Sequence, residues 1–561
     1  MKRFRWQLII IFLTGLVVGF LLLGEQPNQQ SIGPEPTSGG IYAEALIGSF
    51  ERLNPLLDFN NPADRDVDSL LYSGLVRFDE RGLPQPDLAD SWGVSKDGTI
   101  YNFTLRSGIK WHDGEILTTD DVQFTIDLIR DGGSIIPQDL KDFWKDIDVK
   151  VLSPTAIQFR LPEPFAPFLD YLSFSILPKH QLGEIQFDEM VQSPFNLQPI
   201  GSGPYRFDRL IVENGQIIGV VLTRFDDTYG QKPFIDQMIF RYYPNSSEAL
   251  KAYEDGIVQG IGHVTTDILA PVLAIPDLSI YTGRMPELSL VMFNLNDPKT
   301  PFFQDMKVRK ALLSGLNRQW MADRILGGQA IVADGPILPG TWAYYDGLER
   351  VEYDPDQAKI SLKEAGYEVT GDTETVRKKG ETEFSFELLY PDDSLHKALA
   401  EYIQKSWEAL DIKVILTPVS YDELVNQRLQ ERSYQAALVD MNLMRTPDPD
   451  PYPFWDQAQA SGGQNYSQWD NRVASEYLET ARTTINLDER TRLYRNFQVI
   501  FSDELPALPL YYPVYSYAVD KQVQGVRMGP IFDTSDRFLT VPDWFLIARK
   551  TTRPTTVVNQ P

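Results

Sequence analysis

The chain has no cysteine, so no disulfide and no thiolate metal site can hold it together. Its four histidines, His112, His180, His263 and His396, lie far apart, and no metal-ligand spacing links them. No Walker loop, G-x-S-x-G elbow or metal-binding motif is present, so neither a cofactor nor a bound metal is expected. Basic surplus is lacking too. With 78 Asp and Glu against 52 Lys and Arg, the net charge is -26. A nucleic-acid partner would need a basic patch, and such acidity argues against one. Internal repeats and low-complexity blocks are absent.

What remains is a chain for more than one domain: 561 residues, 42% hydrophobic and 12% aromatic, enough for sizeable cores and for stacking surfaces. Lys2, Arg3 and Arg5 precede an apolar run, Leu8–Leu23, at the short end for a membrane span. No small-x-small cleavage site follows it, so residues 1–24 are expected to be an uncleaved anchor with its start in the cytoplasm, in preference to a cleaved signal. Residues 25–40, with Pro27, Pro34, Pro36 and Gly39-Gly40, form a polar tether. Residues 547–561 form a polar tail.

The most informative stretch is Leu88–Ile126. It opens on a helical-looking piece carrying Trp92, then a turn at Lys96-Asp97-Gly98. In Thr99–Leu105, Tyr101, Phe103 and Leu105 share one face, as in a half-buried strand. Asp113-Gly114 marks a second turn. Thr118 and Asp121 are spaced as a capping box before Val122, Ile126 and Ile129, which repeat at helical spacing. Further on, Gly201-Ser202-Gly203-Pro204-Tyr205 is read as a structural turn whose glycines permit positive φ. Leu288–Leu295 is apolar throughout, as in a buried strand, and Val308, Ala311, Leu312, Leu316 and Trp320 define a helical face. Phe384–Tyr390, Leu395–Leu410 and Ile412–Val419 read as strand, helix and strand. Pro447, Pro449, Pro451 and Pro453 exclude helix and ladder from Met441–Trp455, which becomes a rigid loop leaving the short strand Ala436–Val439.

The segments LA-x-SW (from Leu88), F-x-LR-x-G-x-KWHDG (from Phe103), T-x-DDV (from Thr118) and GSGPY (from Gly201) together resemble the signature of the family-5 extracytoplasmic solute-binding proteins, the peptide, nickel and oligosaccharide receptors of ABC importers. Trp92, Trp111 and His112 are read as packing residues within it. The resemblance extends over about 41–545. It implies an α/β, two-lobed periplasmic-binding-protein-like fold of the type II, large family-5 form, with mixed sheets and a ligand cleft between the lobes. Lobe one would comprise 41–290 plus 510–546, with an extra subdomain at about 80–200, and lobe two 291–509. Two strands, near 288–294 and 506–512, would cross between them. The absent cysteine also removes the lipid anchor that many relatives carry.

In dipeptide-binding members an aspartate before a PDP-like turn takes the ligand's amine, and an arginine at the head of a lobe-two helix takes its carboxylate. Laying that turn on Pro447-Asp448-Pro449 puts Arg445 at the aspartate position, Asn442 at that of an upstream tryptophan, and Tyr390 near that of the arginine. Both clamp charges are then missing and one is reversed, so free dipeptides should bind poorly. The resulting candidate contacts are Phe50, Trp342, Tyr390, Asn442, Arg445, Tyr452 and Trp455, with core packing the alternative for Phe50 and Trp455. Aromatic and amide groups suit sugar faces or the backbone of a longer peptide. The expected function is a monomeric, membrane-tethered receptor on the extracytoplasmic (periplasmic or extracellular) face, delivering a peptide or oligosaccharide to ABC permease subunits. The alternatives are a sensor or chaperone domain, or a hydrolase using Asp448 and Asp450, which fit turn formation better than catalysis.

Overall fold

The computed structural model describes residues 35–369, 375–444 and 447–547. Strand β1 (Ile41–Ile47) opens the fold. Helix α1 (Pro62–Leu71) follows, started by Pro62 in its first turn and by Asn61, whose side chain accepts from the N–H groups of Ala63 and Asp64. The stretch around Trp92 is a strand, not a helix: β2 (Ala89–Val94) pairs with β3 (Ile100–Leu105), and the rings of Trp92 and Phe103 stack at 5.8 Å. Cross-strand pairing overrides the local pattern there. In β3 the alternation holds, with Tyr101, Phe103 and Leu105 buried. Helix α2 (Thr119–Asp131) carries the full Thr118–Asp121 capping box. Strands β4 (Asp148–Ser153) and β5 (Ala156–Arg160) complete a separate four-stranded sheet in the order β2-β3-β5-β4.

Next come β6 (Tyr205–Glu213), β7 (Gln216–Arg224), β8 (Gln237–Tyr243), α3 (Ser246–Glu254), β9 (Gly260–Ile261), β10 (Leu278–Arg284) and β11 (Glu287–Phe293). Helix α4 (Met306–Ser314) stops before Gly315, earlier than the apolar periodicity predicts. Asn317 caps a new short helix, and Trp320 lies 43% exposed, stacked on Tyr402 at 4.6 Å. After β12 (Ala330–Val332), the strand–helix–strand unit is β13 (Ser385–Pro391), α5 (Ser394–Glu408) and β14 (Lys413–Val419), with the two strands parallel. Strand β15 (Ala436–Asn442) runs further than predicted and pairs with β11 down to Asn442↔Glu287. The proline-rich loop also contains a one-turn helix, α6 (Tyr452–Trp455), because Pro453 sits in the first turn, where no N–H bond is lost. Helices α7 (Arg472–Thr483) and α8 (Leu487–Glu504) lead to the long β16 (Ala507–Asp520).

One 12-stranded mixed sheet runs through the molecule in the order β14-β13-β15-β11-β16-β9-β1-β8-β7-β6, with β10 and β12 also on β16. Its apolar packing is divided. One core runs from Leu288 to Tyr512 and adds Phe532. Another joins residues from Tyr42 to Phe240 with Tyr515 to Trp544. A smaller one surrounds Ala249, Ile261 and Ala518. The change of core falls inside β16, between Tyr512 and Tyr515, and opposite it the β10–β11 line breaks at Met285-Pro286. This is the two-lobed α/β architecture.

The glycines of the 201–205 turn act differently from the sequence reading. Neither Gly201 nor Gly203 has positive φ. A Cβ on Gly201 would stand 1.9 Å from the Leu71 carbonyl oxygen, and one on Gly203 2.4 Å from that of Leu70. Close approach to the end of α1 is what demands glycine. His112 seals the same junction: its Nδ1 accepts from the Gly201 N–H and its Nε2–H donates to the Gly203 carbonyl, both at 3.1 Å. Burial lowers its pKa to about 4 and keeps it neutral.

Candidate ligand cleft

A cavity of about 1690 Å³ lies between the two cores. Its lobe-one wall comes from α1 and the loop before it, the turn carrying Phe165 and Asp170, Tyr229, and the C-terminal segment with Phe532 and Phe538. The opposite wall is the end of β15, the loop at Pro447–Asp450, Phe454, Tyr466 and Arg482. The wall thus alternates aromatic faces with fixed charges.

The proline-rich loop is braced by ion pairs. Asp448, 7% exposed, takes Nη1 and Nη2 of Arg490 at 2.5 and 2.9 Å. Asp450 accepts from Arg482 Nε at 3.0 Å. The Arg482 guanidinium lies over the rings of Tyr452 and Phe165, at 4.2 and 5.1 Å, so it contacts both walls. The Asp448 N–H donates across the cleft to Asp170 Oδ2 at 2.8 Å. Burial, and then the neighbouring Asp448, push the Asp170 pKa well above the usual range. Burial raises that of Asp450 to about 6 against the pull of Arg482. Both aspartates considered for hydrolysis are therefore engaged by arginines from α7 and α8.

Of the residues singled out from sequence, Asn442 lines the cavity, with its Oδ1 accepting from the Met444 N–H at 2.8 Å. Tyr452 packs beside the wall beneath Arg482. Trp455 is 1% exposed, edge-on to Phe501 in the core, and Trp342 and Tyr390 are also core residues. Trp342 underlies Arg490, and its backbone N–H donates to the Arg81 carbonyl at 2.9 Å. Phe50 is half-buried, edge-on to Tyr242 and away from the cavity wall. Arg445 lies outside the described residues. Sequence reasoning missed Phe59, Asp58, Asp68, Asp170, Phe454 and Tyr466, all on the wall. The signal for Asp68 was legible: an aspartate on the apolar side of α1, between Val67 and Leu71. Among the described residues, no three His, Cys, Asp or Glu gather as a metal site.

A cleft of this size between two lobes joined by adjacent strands defines a solute-binding protein. The family model for bacterial extracellular solute-binding proteins, family 5 Middle, matches residues 84–465, and the chain belongs to that family. It is 29% identical to the dipeptide-binding protein of Escherichia coli over 533 residues, covering 88% of this chain and 94% of the relative. To the oligopeptide-binding protein AppA of Bacillus subtilis it is 28% identical over 561 residues, covering 97% and 100%. The solved structure of HbpA2 from Haemophilus parasuis shares the fold, with a TM-score of 0.79 at 22% identity, over 91% of this chain and 100% of that one.

Proposed function

We propose that this protein is the extracytoplasmic substrate-binding receptor of an ABC importer, closing around a peptide of several residues and delivering it to a membrane permease. The cleft carries the reading: about 1690 Å³ exceeds the roughly 300–1,000 Å³ of ordinary small-molecule pockets. Relatives named for dipeptide and oligopeptide binding support the choice of a peptide over an oligosaccharide. Catalysis has no part in this reading.

Residues 41–290 with 510–546, and 291–509, would move as the two lobes. The hinge would lie where Met285 N–H meets the Pro513 carbonyl at 2.9 Å. Pro286 and Pro513 each remove a ladder donor there, leaving the two-strand bridge easier to bend. Residues 1–24, outside the described part, would tether a monomeric receptor to the cell. No described helix is long and apolar enough to cross a membrane.

Native mass spectrometry of the purified ectodomain tests the ligand. Copurifying peptides are expected, and a bound sugar or other non-peptide would overturn the reading. Protease added to intact cells tests the tether: the folded part should be shaved from the surface, whereas a protein free in the medium with its N-terminus near 25–40 would mean a cleaved signal.

A further inference from the structure

Helix α1 carries three aspartates, at 64, 66 and 68, all buried. Two are fully accounted for. Asp64 accepts from the N–H groups of Glu51 and Arg52 at 2.9 and 2.8 Å, from Asn61 Nδ2 at 2.8 Å and from the Tyr242 hydroxyl at 3.3 Å. Asp66 holds Arg537 at two points, both at 2.7 Å.

Asp68 is the exception. It is 2% exposed, it lines the cleft, and neither of its carboxylate oxygens has a hydrogen-bond partner. The backbone of Asn54 approaches it without closing a bond. The adjacent cation does not neutralise it either: Arg65 Nε faces Asp533 at 2.8 Å, and its Nη1 donates to the carbonyls of Asp58 and Phe59 at 3.2 and 3.3 Å. Asp58, itself 3% exposed, stands beside Asp68 on the same wall and adds negative potential. A buried carboxylate left unsatisfied is costly, and such groups call for an explanation.

From this geometry we infer that Asp68, with Asp58, forms an ammonium-binding subsite on the lobe-one wall of the cleft, for a primary amine carried by the ligand. An ammonium is compact and brings three donors to the Asp68 carboxylate, which lacks them. The neighbouring ring of Phe59 lines the same wall and suits the cation's apolar stem. The amine can be a peptide N-terminus or a lysine side chain. The inference rests on the peptide-receptor reading for the identity of the amine's carrier, but not for the subsite itself.

Calorimetry on the ectodomain tests it with four probes: a pentaalanine blocked at both ends, the same peptide with one central lysine, a pentaalanine amide with a free N-terminus, and n-butylammonium. At least one amine-bearing peptide should bind the wild type about tenfold or more tightly than the blocked neutral one. Asp68→Asn should abolish that advantage, read as the ratio of amine-bearing to neutral peptide affinity within each protein, and whichever amine-bearing peptide responds identifies the source. Burial and the nearby Asp58 raise the Asp68 pKa. The comparison of blocked and amine-bearing peptides on the wild type needs no variant that folds. Peptides that bind without regard to charge, or an unchanged Asp68→Asn, would overturn the subsite and leave the receptor reading standing. Binding of n-butylammonium that is lost in Asp68→Asn, with no peptide bound, would keep the subsite and overturn the peptide reading. Failure of every probe would overturn both.

Discussion

Arg490 and Asp448 meet in a two-point ion pair, with both side chains almost wholly buried and the guanidinium sandwiched against Trp342 and Tyr494. The pair fixes the proline-rich loop to α8 and so sets where the lobe-two wall stands. Removing the cation leaves Asp448 buried beside Asp170 and Asp450. Arg490→Ala should therefore cost about 3–5 kcal/mol, the range for breaking a buried pair. Arg490→Lys, which keeps the charge but loses the second contact, should cost less. Denaturant unfolding followed by tryptophan fluorescence checks both, and an Arg490→Ala protein as stable as wild type would show that the pair contributes nothing.

Closure should depend on Asp170. Its carboxylate accepts from the Asp448 N–H across the cleft. Asp170→Ala removes one interlobe hydrogen bond, with a net value of about 0.5–1.5 kcal/mol. The variant should populate more open forms, with a larger radius of gyration in small-angle scattering and up to about tenfold weaker ligand binding. Identical scattering from the two proteins would argue against a latch at this position.

His396 should make stability pH-dependent in a narrow window. Its Nδ1 contacts Asp393 at 2.6 Å and its Nε2 contacts Asp440 at 2.8 Å, with Glu287 also nearby. Burial opposes the charge, but Asp440 and then Asp393 outweigh it and raise the pKa to about 8. A histidine raised in the folded state stabilises fully below its unfolded value, about 6.5, and loses that contribution as pH rises through about 8. Melting temperature should fall over that interval in the wild type and fall less in His396→Gln. Parallel pH profiles would rule out His396 as the source.

Gly201→Ala should be among the most damaging single-methyl changes. The added carbon would meet the Leu71 carbonyl at 1.9 Å, and that carbonyl belongs to the end of α1, which cannot retreat without moving the helix. A loss of about 3 kcal/mol or more is expected, at the upper end for overpacking. Thermal unfolding of the purified variant measures it, and a melting temperature within a degree of wild type would contradict the close-packing account.

The sequence alone determined whatever is encoded over a few residues. The alternation of Tyr101, Phe103 and Leu105, the Thr118–Asp121 capping box and the parallel strand–helix–strand unit at 385–419 all stand as read, because period, caps and turns act within one element. The signature segments were enough to indicate the fold and the solute-binding family. Partners far along the chain decided the rest. Trp92 became a strand residue because Phe103 pairs with it, and Gly201 must be glycine because Leu71, 130 positions away by number, passes so close. Aromatic identity could not tell a cleft wall from a core, so Trp342, Tyr390 and Trp455 read like Phe454 and Tyr466 until packing separated them. The aspartates of α1 make the same point: side by side they are chemically alike, and only the arrival of Arg537 at Asp66, and of no hydrogen-bond donor at Asp68, makes one a structural ion pair and the other a candidate binding group. Such contacts depend on how distant segments meet in space, which a local pattern does not encode.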